Sequence, residues 1–130
     1  MRVLAIDIGG TAVKAAVVDD AGGHLSHPCV TPTVRPCDPP SLIQQVVDLG
    51  DELEFDAAVV GFPGGVRKGV VVSAYQFWRL DGTEHSSLRK AWEQLPLADL
   101  LAIRTGRRVI VVNDAALHAA GVVTGSALNW

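Results

Sequence analysis

Apolar residues along these 130 positions fall into short runs separated by glycine- and proline-marked breaks. Val3–Ile8 and residues 13–18 are rich in Val, Ile and Ala, and the polar knot Asp7-Ile8-Gly9-Gly10-Thr11 lies at their junction. Two such runs joined through a Gly-Gly pair predict a β-hairpin. A second turn signal at Ala21-Gly22-Gly23 and a third run over 25–34 extend it to a three-strand meander. The proline-stiffened stretch 35–40 leads to a helix opening near Ser41, where Leu42, Ile43, Val46, Val47 and Leu49 share one face. That helix closes over 51–55. Residues 57–61 are wholly apolar, as a strand buried on both faces should be. A small hairpin is expected over 66–72, turning at Lys68-Gly69. Residues 73–83 read as irregular, 84–94 as helical, and 96–105 as a further helix stopped by Gly106. Residues 109–112 form another buried-strand run, and 115–120 an alanine-rich helix.

The order is thus β-β-β-α-β-(hairpin)-α-β-α. It predicts an α/β fold: a ribonuclease-H-like layer with a mixed sheet, an antiparallel meander first and strand–helix alternation after it. With 48% hydrophobic but only 5% aromatic residues, small aliphatic side chains must fill the core. The net charge of −3 is too mild to argue for a nucleic-acid or membrane-surface partner. Its distribution is uneven, because residues 67–108 hold eight Lys/Arg against four acids. That basic stretch either faces an anionic ligand or is a solvated helix face. No run approaches the ~18 apolar residues of a membrane span. The apolar start, broken by Asp7, does not read as a signal peptide, so a cytoplasmic location is expected. Cys29 and Cys37, with His24 and His27, lie at irregular intervals that match neither a disulfide framework nor a zinc motif.

In open α/β sheets, ligands gather beyond the carboxyl ends of the parallel strands. Three polar groups are expected there: Asp7 ending the first strand, Gly61 to Gly65 after the fourth, and Asn113-Asp114 after the last. Each has a plain structural explanation, as a turn or as a helix cap. Together they describe a site. Glycines let backbone N–H groups approach an anion, and a nearby Asp suits a cation such as Mg²⁺ that accompanies it.

These motifs resemble those of the ROK-family sugar kinases, members of the actin-like ATPase superfamily. Asp7-Ile8-Gly9-Gly10-Thr11 is similar to the family's first phosphate motif, and Gly61-Phe62-Pro63-Gly64-Gly65-Val66 with Gly69 to its GxPGxVxxG segment. Asn113-Asp114-Ala115 resembles its catalytic NDA, and Lys14 gives the DIGGxxxK form of polyphosphate glucokinases. The resemblance covers residues 2 to 123 and implies the N-terminal lobe of a glucokinase-like enzyme. Asp114 would then be the general base toward a sugar hydroxyl, with Asn113 and the Gly64-Gly65 backbone lining the sugar pocket. Asp7 would organise Mg²⁺, and Gly9, Gly10 and Thr11 would contact the transferring phosphate of ATP or polyphosphate. Lys14 either adds charge toward that phosphate or sits on a solvated face.

The departures are informative too. Nothing matches the family's second phosphate motif, its adenosine motif or its zinc segment, so no structural zinc is expected. Residues 81–95 read as an insertion, and 124–130 as a tail. The C-terminal lobe is expected to be absent, leaving one wall of a cleft. An alternative is a non-catalytic sugar- or phosphate-binding lobe, or one that dimerises through Val122, Val123, Leu128 and Trp130.

Overall fold

A computed structural model of the chain describes residues 1–80, 83–84 and 86–115, and the sheet at its centre follows from the apolar runs. Strands β1 (Val3–Ile8) and β2 (Ala12–Val18) pair antiparallel, and β3 (Cys29–Pro32) adds to the far side of β2. Helix α1 (Pro39–Gly50) crosses over to β4 (Ala57–Phe62), which lies parallel to β1. A hairpin of β5 (Val66–Arg67) and β6 (Val70–Val71) follows, then helical turn α2 (Tyr75–Trp78) and a second hairpin, β7 (Arg79–Leu80) with β8 (Thr83–Glu84). Helices α3 (Ser86–Trp92) and α4 (Leu97–Thr105) lead to β9 (Arg108–Asn113), parallel to β4. The five-stranded order is β3-β2-β1-β4-β9. This is the expected mixed α/β sheet, meander first and crossovers after.

Local chemistry explains the boundaries. Asp38 caps α1 by accepting the Ser41 N–H at 2.8 Å, and Pro39-Pro40 occupy the first turn, where no N–H is missed. The helix therefore opens two residues before Ser41. Strand β3 is shorter than the 25–34 run suggested, since Pro32 has no N–H to extend the ladder. Lys68 and Gly69 turn the β5–β6 hairpin with φ of 52° and 78°, the twist a two-residue loop needs. Gly106 ends α4 in the left-handed region at φ 65°.

The two faces of the sheet differ. One packs Leu4, Ile6, Ile8, Val13, Val17, Val60 and Val111 against Leu42, Ile43 and Val46 of α1 and Leu97 and Leu101 of α4. The other carries Ala5 and Val18 with Val3, Val59 and Val112 packed beside them. At the edge of the first face, Phe62, Phe77 and Trp92 form a triangle with ring centroids 5.2–5.5 Å apart. The Trp92 indole N–H donates to the Cys37 carbonyl at 2.8 Å.

This packing corrects two expectations. Residues 73–83 are not irregular throughout, because α2 drops Phe77 into the core. The helix expected from 84 begins at Ser86, and its Trp92 is one of the largest fully buried side chains. Helix α3 is thus joined to the core through Trp92. The helix expected over 115–120 lies almost wholly outside the described residues, as do the 124–130 tail and the apolar positions Val122, Val123, Leu128 and Trp130.

Candidate functional site

Strand register brings the three polar groups to one rim. Asp7 faces Lys14 of β2 on one side and Gly61 of β4 on the other, and Gly61 faces Val112 of β9. Lys14, Asp7, Gly61 and Val112 thus form one row across the sheet, and Asn113-Asp114 are the next two residues beyond it. Asp7 lies on β1 and Asp114 directly follows β9, and these two strands are separated only by β4, about 10 Å apart laterally at the usual strand spacing. The row lies on the face away from α1 and α4, because the buried residues alternating with Asp7 and Lys14 are the ones that meet those helices. Lys14, left open by the sequence, therefore shares a face and a row with Asp7.

The turn after β1 is pinned from behind. Gly9 N–H donates to the Ala12 carbonyl at 2.8 Å, closing a tight loop over Gly10 and Thr11. Thr33, the fully buried polar residue of the described core, donates its hydroxyl to the Gly9 carbonyl at 2.8 Å. Its N–H donates to the Thr11 carbonyl at 2.9 Å, and Arg35 Nη2 donates to the Gly10 carbonyl. Gln45 of α1 anchors this strap, accepting from Val34 N–H at 3.0 Å and donating to the Pro32 carbonyl at 2.7 Å. Gln76 of α2 stands beside Gly10. Thr33, Arg35, Gln45 and Gln76 were not candidates from the sequence.

The second glycine loop is held differently. Gly65 N–H donates to Ser73 Oγ at 3.0 Å, and its carbonyl accepts from Val72 N–H at 2.8 Å. Asn113 Nδ2 donates to the Gly64 carbonyl at 2.7 Å, tying the loop to the end of β9. The Ala115 N–H lies within hydrogen-bond distance of Asn113 Oδ1 and Asp114 Oδ1, at 2.9 and 2.8 Å. Asn113 thus spends one amide proton on the loop and keeps a second N–H. Asp114 stands half-buried at the same rim.

Part of the basic stretch lies elsewhere, although Lys68 lines a hollow with Val112 and Asn113. Arg104 and Arg107 close α4 and lead into Arg108, at the amino end of the parallel strands, where Arg104 bonds Gln44 and Arg107 the Phe55 carbonyl. Arg89 pairs with Glu93 on α3. These contacts are away from the rim.

Among the described residues, no group of three or more His, Cys, Asp or Glu gathers as a metal cage. Cys29 is exposed, whereas burial pushes the Cys37 thiol up to about 12 against the pull of Arg35. A half-buried Asp7 beside a glycine turn is of the chemistry that suits a divalent ion arriving with phosphate oxygens and keeping several waters. No helix of the described residues is long and apolar enough to cross a membrane.

Sheet order, crossovers and rim define the α/β lobe of the actin-like ATPase fold. Residues 3–127 match the ROK family, and the chain belongs to it. A glucokinase of Streptomyces coelicolor is 31% identical over 119 residues, covering 91% of this chain and 34% of that protein. A ROK family glucokinase from Streptomyces griseus, solved with glucose and AMPPNP, superposes with a TM-score of 0.73 at 26% identity, over 95% of this chain and 36% of that one. An inorganic polyphosphate/ATP-glucomannokinase from Arthrobacter sp. strain KM gives 0.72 at 32% identity, over 97% of this chain and 49% of that one. The chain therefore spans between a third and a half of the length of these relatives.

Proposed function

We propose that these residues form the phosphate-turn and catalytic-base lobe of a sugar kinase that moves a phosphoryl group from ATP or polyphosphate to a hydroxyl of glucose or a related hexose. The observation that carries this is the convergence of Asp7, the Gly9–Thr11 turn, the Gly64-Gly65 loop and Asn113-Asp114 on one rim. The relatives' names, glucokinase and polyphosphate/ATP-glucomannokinase, support the substrate class.

Phosphoryl transfer asks chiefly for positioning and charge neutralisation. Asp114 takes the proton from the attacking sugar hydroxyl as the new O–P bond forms and the bond to the donor's leaving oxygen breaks. Asn113 orients sugar hydroxyls with its second N–H while its first keeps the Gly64 loop in register. The Gly10 and Thr11 N–H groups meet the transferring phosphate, and Lys14 adds charge from Asp7's row. A Mg²⁺ held by Asp7 would neutralise charge on the donor phosphates. The opposite wall of the cleft comes from a second lobe, in the same chain or in a second copy.

The test is a coupled assay of glucose phosphorylation with ATP and with polyphosphate, comparing wild type and Asp114→Asn. Loss of about 10²–10⁴-fold with an unchanged circular dichroism spectrum is expected. Equal rates in the two proteins remove Asp114 as the base. The alternative reading is a sugar- or phosphate-binding lobe without catalysis. Calorimetric glucose binding with no phosphorylation from either donor would select it.

A further inference from the structure

We propose that Arg35 is a donor-binding residue: its guanidinium holds the phosphate chain of the phosphoryl donor next to the group seated on the Gly9–Thr11 turn. The proposal rests on the kinase reading above and adds a residue to its donor site. The strap supplies the first argument. Its Thr33 hydroxyl, Thr33 N–H and Arg35 Nη2 occupy the carbonyls of Gly9, Thr11 and Gly10 in turn. Carbonyl oxygens repel an anion, and here each of the three is already engaged by a donor. The Gly10 and Thr11 N–H groups have no acceptor among the described residues. The turn is thus polarised, its carbonyls satisfied by the strap and two of its N–H groups left to a ligand.

The second argument is Arg35 itself. A guanidinium carries five N–H donors in a planar fork, and only the bond to Gly10 engages this one among the described residues. The side chain is exposed, and none of the described carboxylates forms an ion pair with it. Arg2 lies near Glu54, Arg89 pairs with Glu93, Arg104 bonds Gln44 and Arg107 bonds the Phe55 carbonyl, whereas Arg67 and Arg108, also without an ion pair among the described residues, bond no carbonyl of the turn. Arg35 is also preorganised. Gln45 grips the backbone on its amino side, and Asp38 caps α1 three residues on. A cation fixed at the carbonyl side of an anion-ready turn, with most of its fork unused, has donors left for an acceptor from outside.

The probes are inorganic tripolyphosphate and ATP, titrated calorimetrically into the 130-residue chain as wild type, Arg35→Ala, Arg35→Lys and Thr33→Val. Arg35→Ala should weaken tripolyphosphate binding about 10- to 100-fold. Arg35→Lys should recover part of that loss, and added salt should shrink the difference. Weakening with both probes assigns a shared phosphate-chain contact, and weakening with tripolyphosphate alone assigns the inorganic chain. Glucose binding should be unchanged by Arg35→Ala. Unaltered tripolyphosphate affinity in Arg35→Ala overturns the proposal, as does an absence of binding by wild type. An equal loss in Thr33→Val, which removes a strap bond but no charge, would also overturn it, since Arg35 would then act only by holding the turn. The Asp114→Asn assay fails or succeeds independently of these titrations, so the two ideas can fall separately.

Discussion

The two glycine loops on the rim look alike in the sequence and are built on different grounds. None of Gly9, Gly10, Gly64 and Gly65 adopts a left-handed φ, so glycine is required at these positions, where it is required, for space. A Cβ on Gly64 would stand 2.1 Å from the Ser73 carbonyl oxygen, a backbone atom that cannot step aside. A Cβ on Gly10 would meet nothing nearer than Gln76 at 3.6 Å, an ordinary contact. The protein's own packing therefore accounts for Gly64, and for Gly9, whose Cβ would stand 2.8 Å from the Ala12 carbonyl oxygen, and leaves Gly10 unaccounted for. A glycine that the fold does not demand, on a turn whose N–H groups are open, is what a ligand approaching closely would demand. On the proposed reading, the difference separates a structural glycine from a functional one.

Gly64→Ala is the largest expected break. Either the loop or the Ser73 backbone must move, and overpacking against main chain should cost about 3 kcal/mol. Asn113 would lose its hold on the Gly64 carbonyl as the loop shifts, so glucose binding should fall with stability. Urea unfolding followed by tryptophan fluorescence measures the first effect. A midpoint equal to wild type would mean the close approach to Ser73 is not real. Thr33→Val comes next, at about 1–2 kcal/mol, for the lost hydrogen bond to the Gly9 carbonyl from a buried position. That change sharpens the contrast from the other side, since it loosens the first turn without adding bulk to it. A shift below the error of the denaturation curve would show that the strap does not hold the turn.

Much of this was legible in the sequence, and the exceptions share a cause. The runs that became β1, β4 and β9 are apolar on both faces, although β9 is not the buried strand expected, since it lies at the sheet edge with Ile110 46% exposed. The Lys68-Gly69 turn and Gly106 cap are set by local backbone needs, and the carboxyl-end rule placed Asp7, Gly64 and Asn113-Asp114 together. Even the face of Lys14 could have been counted, since a turn centred on Gly10-Thr11 forces position 14 opposite position 7. What could not be read depends on contacts between distant segments. A four-residue α2 has no period to detect. Trp92 gives no sign at its own position that Phe62, Phe77 and the Cys37 carbonyl await it. Thr33 and Arg35 lie between β3 and α1, where hydrogen bonds to residues 24 and 25 positions away follow no local pattern.

Gly10→Ala is the smallest change in stability and the sharpest test of the contrast. With φ outside the left-handed region and only van der Waals contact to Gln76, alanine fits the folded turn. It also restricts the unfolded chain, so stability should hold or rise by about 0.5 kcal/mol. The added methyl, though, stands on the turn that the donor phosphate must approach, next to the Gly10 N–H. Tripolyphosphate affinity should therefore fall while the unfolding midpoint does not. If Gly10→Ala instead lost stability as Gly64→Ala is expected to, the first turn would be as tightly packed as the second and its glycine equally structural. If it lost neither stability nor affinity, the turn would be no phosphate site at all, and Asp7, Lys14 and Arg35 would be gathered around an ordinary hairpin.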